Sequence, residues 1–244
     1  MSDLHLEFEE FLPTPVDSTL LLAGDVLTYK TYRNNKRKRK RYDAFLAHVS
    51  REWDNVVAVM GNHEYYGWNA EVEPFIRGLY NNHGVHFLEN DVVELDGVRV
   101  AGTCLWTDFF GDQPYYHDVV GRGMNDYHVT GLTTRMTYNK HMKAREFLRN
   151  ANADVVVTHH APSVDSVHAQ YLGSPLNAGY YSDLTDFVNE VSPKVWVHGH
   201  MHHAVNYMMG NTNVLANPRG YPNENNNFDN NARFTLEKLS LTKS

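Results

Sequence analysis

Apolar runs that end in polar turns alternate with amphipathic stretches along most of the chain. Four runs have the length of buried strands, and each leads directly into polar residues: STLLLAGD at 18–25, NVVAVMGNHE at 55–64, ADVVVTHH at 153–160 and KVWVHGHMHH at 194–203. Helical periodicity and helix-end signals predict helices over 34–53, 68–84, 135–151 and 182–191, the last capped by Ser182. This alternation predicts an α/β protein with a mixed sheet or two sheets.

Shorter patterns fill in the remainder of the predicted fold. Residues 92–106 are typical of a hairpin that turns at Asp96-Gly97, and a second hairpin is predicted over 204–221. Further strands are predicted at 85–90 and 233–241. Residues 106–133 have no hydrophobic period and many aromatic residues, which is typical of a functional loop or lid. No repeat or linker interrupts the chain, so residues 1–244 are predicted to form a single domain.

Composition limits the class of protein. The chain is 42% hydrophobic and 21% charged, which is ordinary for a globular protein, and no apolar run approaches the ~20 residues of a membrane helix. Cys104 is the only cysteine, so an internal disulfide is impossible, and we expect a buried thiol in a cytoplasmic protein. The formal net charge of −7 disfavours a general nucleic-acid binder.

The polar residues at the strand ends are the strongest chemical signal. Together with the N-terminal MSDLH, five segments bring Asp and His, with one Asn, to the places where open α/β sheets bind ligands. The candidates are Asp3, His5, Asp25, Asn62, His63, His159, His200 and His202. These are hard or borderline metal ligands, and the lack of Cys disfavours a structural zinc site.

The order of these motifs resembles the calcineurin-like metallophosphoesterase superfamily. That pattern is Asp-x-His, Gly-Asp, Gly-Asn-His-Asp/Glu, a His after a strand, and Gly-His-x-His, and all five blocks occur here between residues 3 and 202. GNHEYYG, CLWTDFF, THHAPS and NPRGY further resemble a small bacterial or phage-type branch. The resemblance implies two mixed sheets packed face to face between helices, an α/β/β/α sandwich.

The resemblance also implies a role for each candidate residue. Asp3, His5 and His202 would bind a first divalent ion, Asn62, His159 and His200 a second, and Asp25 would bridge them, with manganese favoured over iron, zinc, nickel or cobalt. A bridging hydroxide would attack a phosphomonoester or phosphodiester. His63 would be the catalytic histidine, protonating the leaving oxygen or stabilising phosphoryl charge. Two divalent ions would bring four positive charges, and the carboxylates of Asp3 and Asp25 would neutralise two of them. The centre would therefore stay cationic.

Two other functions compete with this interpretation. A metal-dependent nuclease would need a nucleic-acid groove, which the overall acidity disfavours; a binding scaffold without catalysis would be marked by loss of His63, which is present. The sequence leaves the physiological substrate and the oligomeric state open.

Five weaker signals each allow a structural and a functional explanation. The basic run at 36–41 is interpreted as a solvated helix face and, alternatively, as a strip that steers anions. Glu64 either orients a ligand or is a plain solvated or capping carboxylate. His160 is interpreted as a surface residue and, alternatively, as a residue that supports the neighbouring ligand. Arg219 is interpreted as a turn arginine and, alternatively, as a phosphate contact. Residues of the 106–133 loop, including Asp126, form either a substrate rim or a lid that only covers the core.

The N-terminus departs from the family pattern. In the family the Asp-x-His pair ends a buried first strand, whereas only Met1 and Ser2 precede Asp3 here. The first strand is therefore predicted to be largely missing. Either the true start lies upstream, or another segment fills the gap in the sheet.

Overall fold

The computed structural model describes residues 1–67, 71–224 and 227–236. Its helices are α1 (Tyr29–Asn34), α2 (Lys36–Glu52), α3 (Val72–Asn82), α4 (Phe109–Asp112), α5 (Pro114–Gly123), α6 (Asp126–Val129), α7 (Thr134–Ala151) and α8 (Thr185–Val191). Its strands are β1 (Thr19–Ala23), β2 (Asn55–Val59), β3 (His86–Phe87), β4 (Asp91–Leu95), β5 (Val98–Thr103), β6 (Val155–Thr158), β7 (Val195–His198), β8 (Val205–Met209) and β9 (Thr212–Ala216).

The strands form two sheets. One is parallel, in the order β1-β2-β3, and the other is mixed, in the order β4-β5-β6-β7-β9-β8. In the mixed sheet β5, β6, β7 and β9 run parallel, and the hairpins β4-β5 and β8-β9 give it antiparallel edges. Neighbouring parallel strands end at the same edge, so the polar turns that follow β1, β2, β6 and β7 are collected together.

Side-chain alternation along β1 explains the layered packing. Leu20 and Leu22 face helices α2 and α3, whereas Leu21 and Ala23 face the other sheet, because successive side chains point to opposite faces. The layer between the sheets is mostly valine, including Val57, Val59 and Val157. Helices α7 and α8 cover the far face of the mixed sheet. The predicted α/β/β/α sandwich is confirmed.

Most predicted elements are confirmed, with shifted boundaries. The helix predicted over 68–84 is α3, and residues 68–70 lie outside the described part of the chain. Ser182 does not cap α8: its hydroxyl accepts the backbone N–H of Asp108, and Asp183 accepts the N–H of Thr185. Residues 233–236 of the predicted last strand are not in a strand, and 237–241 lie outside the described residues.

The stretch 106–133 is helical rather than irregular. It contains α4, α5 and α6, of which α4 has left-handed backbone at Phe110 and Gly111. Helices this short present too few turns to produce a detectable hydrophobic period. Val120 and Met124 of this segment pack in a separate apolar cluster with Phe109 and Ala178. No helix in the described part of the chain is long and apolar enough to cross a bilayer.

The first three residues run between the two sheets. Met1 O accepts from Ala23 N at 2.9 Å, Asp3 N donates to Gly24 O at 3.0 Å, and Ser2 forms an isolated parallel bridge with Pro218. No strand precedes β1 among the described residues, as predicted. A cavity of about 610 Å³ lies beside Met1, lined by side chains that include Leu21, Leu215 and Phe234.

Candidate metal centre

All eight residues singled out in the sequence converge at the carboxyl ends of the strands. Asp25 follows β1, Asn62 and His63 follow β2, His159 follows β6, and the His200 segment follows β7. The N-terminal segment completes the set, because the carboxylate of Asp3 accepts the backbone N–H of His200 at 3.0 Å. Seven of the eight are buried, and His202 is partly exposed.

The first group consists of Asp3, His5 and His202, whose candidate ligand atoms lie within 4.8 Å of one another. His5 Nε2 lies 3.0 Å from His202 Nε2, and His202 Nε2 lies 3.4 Å from Asp3 Oδ1. All three residues have left-handed backbone, with φ of 52°, 45° and 45°. Tight irregular turns, rather than a strand, therefore aim these side chains at one point.

A carboxylate lies behind each histidine of the first group. Glu224 Oε2 is 2.7 Å from His202 Nδ1, and Glu7 Oε1 is 3.3 Å from His5 Nδ1. Burial alone would lower the pKa of His202, but its bonds to Asp3 and Glu224 outweigh burial and raise the pKa to about 10. Burial would likewise raise the pKa of Glu7, but His5 and His63 lower it to about 2.

Asp25 lies between the groups. Its Oδ2 is 3.9 Å from both His5 Nε2 and His63 Nε2, and its Oδ1 is 3.5 Å from His159 Nε2. Burial, together with the charges of Glu64 and Asp3, raises the pKa of Asp25 well above its usual range. A carboxylate held among other carboxylates in this way favours a cation on its free side.

The second group is held by burial and by amide geometry. His159 donates from Nδ1 to the carbonyl of Ala23 at 2.8 Å if that nitrogen carries the proton, and its Nε2 lies 2.8 Å from Asn62 Oδ1. Burial lowers the pKa of His159 to about 4, and burial with His160 nearby lowers that of His200 well below its usual range. Both rings therefore stay neutral near pH 7, the form that binds metals.

His200 is the least constrained of the predicted ligands. Its ring centroid lies 5.0 Å from that of His159 and stacks at 4.8 Å on Tyr180. Its Nε2 is buried without a hydrogen-bond partner among the described residues. None of the three Asp/His groups of the described residues whose ligand atoms lie within 4.8 Å includes His200.

Two glycines allow these segments to approach one another. Gly24 has φ of +85°, and a Cβ on it would lie 2.7 Å from the backbone nitrogen of Gly61. A Cβ on Gly61 would in turn lie 2.7 Å from the nitrogen of Asp25 and meet its carboxylate. A side chain at either position would separate β1 and β2 where their ligands meet, which explains Gly-Asp and Gly-Asn-His as fixed units.

The contacts of Glu64 fit the first of its two alternatives, and those of His160 exclude the surface position that was favoured for it. Glu64 is fully buried, and its carboxylate accepts four backbone N–H groups, from Asp25, Val26, Leu27 and Gly61. It therefore fixes the turn that carries Asp25. The interpretation of His160 as a surface residue is wrong: it is fully buried, with its ring 4.3 Å from that of His200.

Sequence reasoning missed the functional contacts of four residues around the centre. Glu7 Oε1 lies 2.8 Å from His63 Nδ1, and the Tyr221 hydroxyl lies 3.1 Å from His63 Nε2. Asp126 accepts from Asn62 Nδ2 and from the Tyr66 hydroxyl, both at 2.8 Å, so it lies behind a ligand rather than on a rim. Only Glu7, two residues after His5, had a signal in the sequence; Glu224 and Tyr221 reach the site through a loop.

The donor set fits divalent metal ions. The raised pKa of His202 puts a proton on its Nε2 near pH 7, and that nitrogen lies 3.0 Å from His5 Nε2 and 3.4 Å from Asp3 Oδ1. One positive charge is therefore already held between His5 and the Asp3 carboxylate, and a divalent ion would take the place of that proton. Carboxylate, imidazole and amide donors without thiolate suit manganese, iron, zinc, nickel or cobalt.

The chain belongs to the calcineurin-like phosphoesterase family, whose sequence profile matches residues 1–204. The match spans every predicted ligand, and this family is typified by divalent metal binding. The family assignment made from the five motifs is thereby confirmed.

Known proteins resemble the chain over nearly its whole length. A mimivirus protein, from Acanthamoeba polyphaga mimivirus, is 24% identical over 284 residues, covering 99% of this chain and 97% of its own. The phosphopantetheinyl hydrolase PptH of Mycobacterium tuberculosis superposes with a TM-score of 0.69 at 16% identity, covering 91% of this chain and 88% of its own. A putative 5'-nucleotidase of Staphylococcus aureus superposes with a TM-score of 0.51 at 14% identity, covering 90% of this chain and 48% of its own. At these identities the structural likeness shows the fold alone.

Proposed function

We propose that the protein is a dimetal phosphoesterase that hydrolyses a phosphomonoester or phosphodiester. Asp3, His5 and His202 would hold one divalent ion, Asn62, His159 and His200 the other, and Asp25 would lie between them, with manganese favoured. When bound, such ions supply Lewis-acid chemistry and an acidified water for attack on phosphorus. The family membership and the convergent Nε2 atoms of the first group support this assignment.

The observation that carries the proposal is the Glu7–His63 pair beside the candidate ligands. Glu7 Oε1 is 2.8 Å from His63 Nδ1, which fixes the ring and leaves Nε2 directed at the centre, 3.9 Å from Asp25 Oδ2. His63 Nε2 is therefore placed beside the candidate ligands, where it would transfer a proton to a leaving oxygen.

Tyr221 lies where that oxygen would arrive. Its hydroxyl is 3.1 Å from His63 Nε2, and its ring centroid is 4.4 Å from that of His5. Burial raises the pKa of Tyr221 far above pH 7, so the phenol keeps its proton and can donate. We propose that Tyr221 contacts the bound ester and helps to orient it toward His63.

Metal-dependent turnover of an aryl phosphate ester tests the proposal. Purified protein loaded with manganese should release nitrophenolate from nitrophenyl phosphate or its bis-aryl diester, and chelator should stop the release. Elemental analysis should show more than one transition-metal ion per chain after loading. A protein that binds metal but hydrolyses neither ester would instead be a binding scaffold, and a low metal content would refute the centre itself.

A further inference from the structure

The turn that carries His5 also carries an exposed aromatic side chain, that of Phe8. The backbone N–H of Phe8 donates to the carbonyl of His5 at 2.9 Å, which closes a tight turn over residues 5–8. His5 and Glu7 on this turn are buried, whereas Phe8 is 53% exposed. A large apolar ring that is open to solvent gains free energy when a ligand covers it.

Two arginines hold the backbone of this N-terminal segment. Arg41 donates from Nη1 to the carbonyl of Leu6 at 2.7 Å, and Arg219 donates from Nη1 to the carbonyl of Leu4 at 3.3 Å. Arg219 also donates from Nη2 to Glu9 Oε2 at 2.7 Å. These cations therefore support the turn itself, and the exposed ring is presented from a backbone that is fixed on both sides.

The rings of Phe8 and Tyr221 form a right-angled corner. Their centroids are 5.5 Å apart, and their planes meet at 85°. Tyr221 is 36% exposed and packs inward on the buried ring of His5, with centroids 4.4 Å apart. The three rings therefore lead outward from the centre in the order His5, Tyr221, Phe8. Aromatic rings prefer offset-stacked or edge-to-face contacts, and such a corner offers a planar ring one contact of each type.

The Phe8–Tyr221 corner borders the approach to His63 Nε2. On its other sides the imidazole is covered: Glu7 Oε1 lies 2.8 Å from Nδ1, and the ring of Tyr66 stacks on one face with centroids 4.2 Å apart. The Tyr221 hydroxyl lies 3.1 Å from Nε2. An alcohol that departs by taking a proton from Nε2 would therefore leave beside the corner.

The chemistry of the corner favours a planar ring over a saturated group. The hydroxyl of Tyr221 is directed at His63, so its polar end faces the ester and its ring faces the organic group. Glu224 accepts the backbone N–H of Tyr221 at 2.9 Å, which helps to fix this orientation. A planar ring gains from contact between aromatic quadrupoles as well as from buried area, whereas a saturated group gains from area alone.

We propose that Phe8 and Tyr221 form a specificity-determining subsite for a planar aromatic or heteroaromatic ring on the leaving alcohol. This inference rests on the proposed phosphoesterase function. The preferred substrates are then phosphate esters in which such a ring lies close to the ester oxygen, as in a benzyl ester. In the hydrolysis, the oxygen of water bonds to phosphorus and the P–O bond to the alcohol breaks. One proton of the water ends on the alcohol oxygen, and the other stays on the phosphate product or passes to solvent.

Two esters of nearly equal size test the subsite. Benzyl phosphate and cyclohexylmethyl phosphate both release a primary alcohol, and they differ in whether the ring is planar and aromatic. With manganese-loaded protein, kcat/KM for the benzyl ester should exceed that for the cyclohexylmethyl ester by about three- to tenfold. The methyl diesters of the same two alcohols give the corresponding comparison for diesters. Equal values within both pairs would overturn the inference.

Substitutions of Phe8 determine whether its ring or only its apolar area is responsible. Phe8→Leu keeps an apolar side chain without an aromatic face, and it should bring the ratio of the two kcat/KM values to about one. Phe8→Trp keeps a stacking surface and should maintain or raise the ratio. Tyr171→Leu, at a tyrosine that is 58% exposed on another segment, is the matched control and should leave the ratio unchanged. A wild-type ratio in Phe8→Leu would overturn the assignment of Phe8.

Metal content and binding separate this inference from the proposed function. Phe8 shares a turn with His5, so each ratio is measured on samples of equal manganese content, and Phe8→Trp decides if Phe8→Leu does not fold. Calorimetry on loaded protein should give tighter binding of benzylphosphonate than of cyclohexylmethylphosphonate, and Phe8→Leu should remove the difference. Hydrolysis of both esters at equal rates would overturn the subsite and leave the phosphoesterase standing. Hydrolysis of neither would refute the phosphoesterase, and equal binding of the two phosphonates would then refute the subsite as well.

Discussion

The two groups of candidate ligands are built on opposite principles. In the first group, His5 and His202 each face a carboxylate, Glu7 at 3.3 Å and Glu224 at 2.7 Å, and His202 is partly exposed. In the second, His159 faces the carbonyl of Ala23 and Asn62 faces Asp126, with every ligand buried. Charged neighbours thus orient the histidines of the first group. In the second group, burial and the hydrogen bonds of the Ala23 carbonyl and the Asn62 amide orient the ligands.

The buried acids beyond the ligands show the same contrast. Glu7 touches two histidines, and despite its burial they lower its pKa to about 2. Glu89 accepts the N–H of Cys104, whose sulfur lies 3.9 Å from His160 beside the second group. Burial, with a smaller effect of Glu73, raises the pKa of Glu89 to about 7. Changes in salt and pH should therefore affect the first group, beside Glu7, differently from the second group, near Glu89.

Removal of His63 should have the largest effect on turnover. It distinguishes a residue that acts in the reaction from the residues of the two groups, which would bind metal. His63→Ala should slow turnover of the aryl ester by ~10²–10⁴-fold while bound metal is largely retained, because its proposed role is proton transfer. Asp25→Asn should lose metal, since it removes the charge between the groups. Metal analysis and kcat measured on the same samples decide this, with the exposed His128→Ala as control. Equal metal loss in His63→Ala and Asp25→Asn would make His63 a ligand.

The pH dependence of the free energy of unfolding tests the surroundings of the second group, where Glu89 is buried. Because its folded pKa is raised, Glu89 stabilises the fold fully below its unfolded pKa of about 4.5, and this contribution is lost as the pH rises through about 7. Over that window metal-free protein should lose roughly 3 kcal/mol from this group. Urea unfolding at pH 5 and pH 8 should show the loss in the wild type and a flatter profile in Glu89→Gln. An unchanged profile in the variant would show that Glu89 is ionised throughout.

Asp126→Ala should loosen the second group alone. It frees the amide of Asn62 to rotate, and loss of such an orienting partner costs about 10- to 100-fold in metal affinity. Calorimetric titration should show this weakening for one ion only, with the first-group ion unaffected. Asp118→Ala, a nearby exposed change on α5, is the control. Equal weakening of both ions would mean that the two groups do not act separately.

The smallest expected effect concerns the basic run, which touches neither group. Lys36 and Arg37 are exposed in the first turn of α2, where the helix dipole disfavours positive charge. Lys36→Glu should raise the free energy of unfolding by about 0.3–1 kcal/mol without changing kcat/KM. Denaturant unfolding and steady-state kinetics at low salt check both parts. A clear fall in kcat/KM would instead support the strip that steers anions.

The sequence was sufficient to predict that the candidate ligands lie together, because most of them follow strands. Apolar runs such as that before Asp25 are recognisable, and parallel strands bring their carboxyl ends to one edge whatever the connections between them. Glu224 and Tyr221 could not be found in this way, because a loop without periodicity places them and its path depends on contacts of Arg219 and Gly220 with residues 2 and 3.

The errors have the same physical origin. His160 was misjudged because neighbouring residues after a strand can point into the centre or away from it, and only the packing of Trp106 and His200 against it decides. The helices within 106–133 were missed because tertiary contacts stabilise them, such as the bond from Gly67 N to Val129 O. The local sequence pattern contains no information on side-chain packing between distant residues or on hydrogen bonds between distant segments.

The bond between the Asp3 carboxylate and the backbone of His200 joins positions 197 residues apart in the chain. Closing a loop of that length is a late event in folding, since its entropy must be overcome before the contact contributes any stability. During synthesis Asp3 and His5 emerge well before His202. A nascent chain therefore carries no assembled centre, and selection among competing metal ions falls to the finished fold.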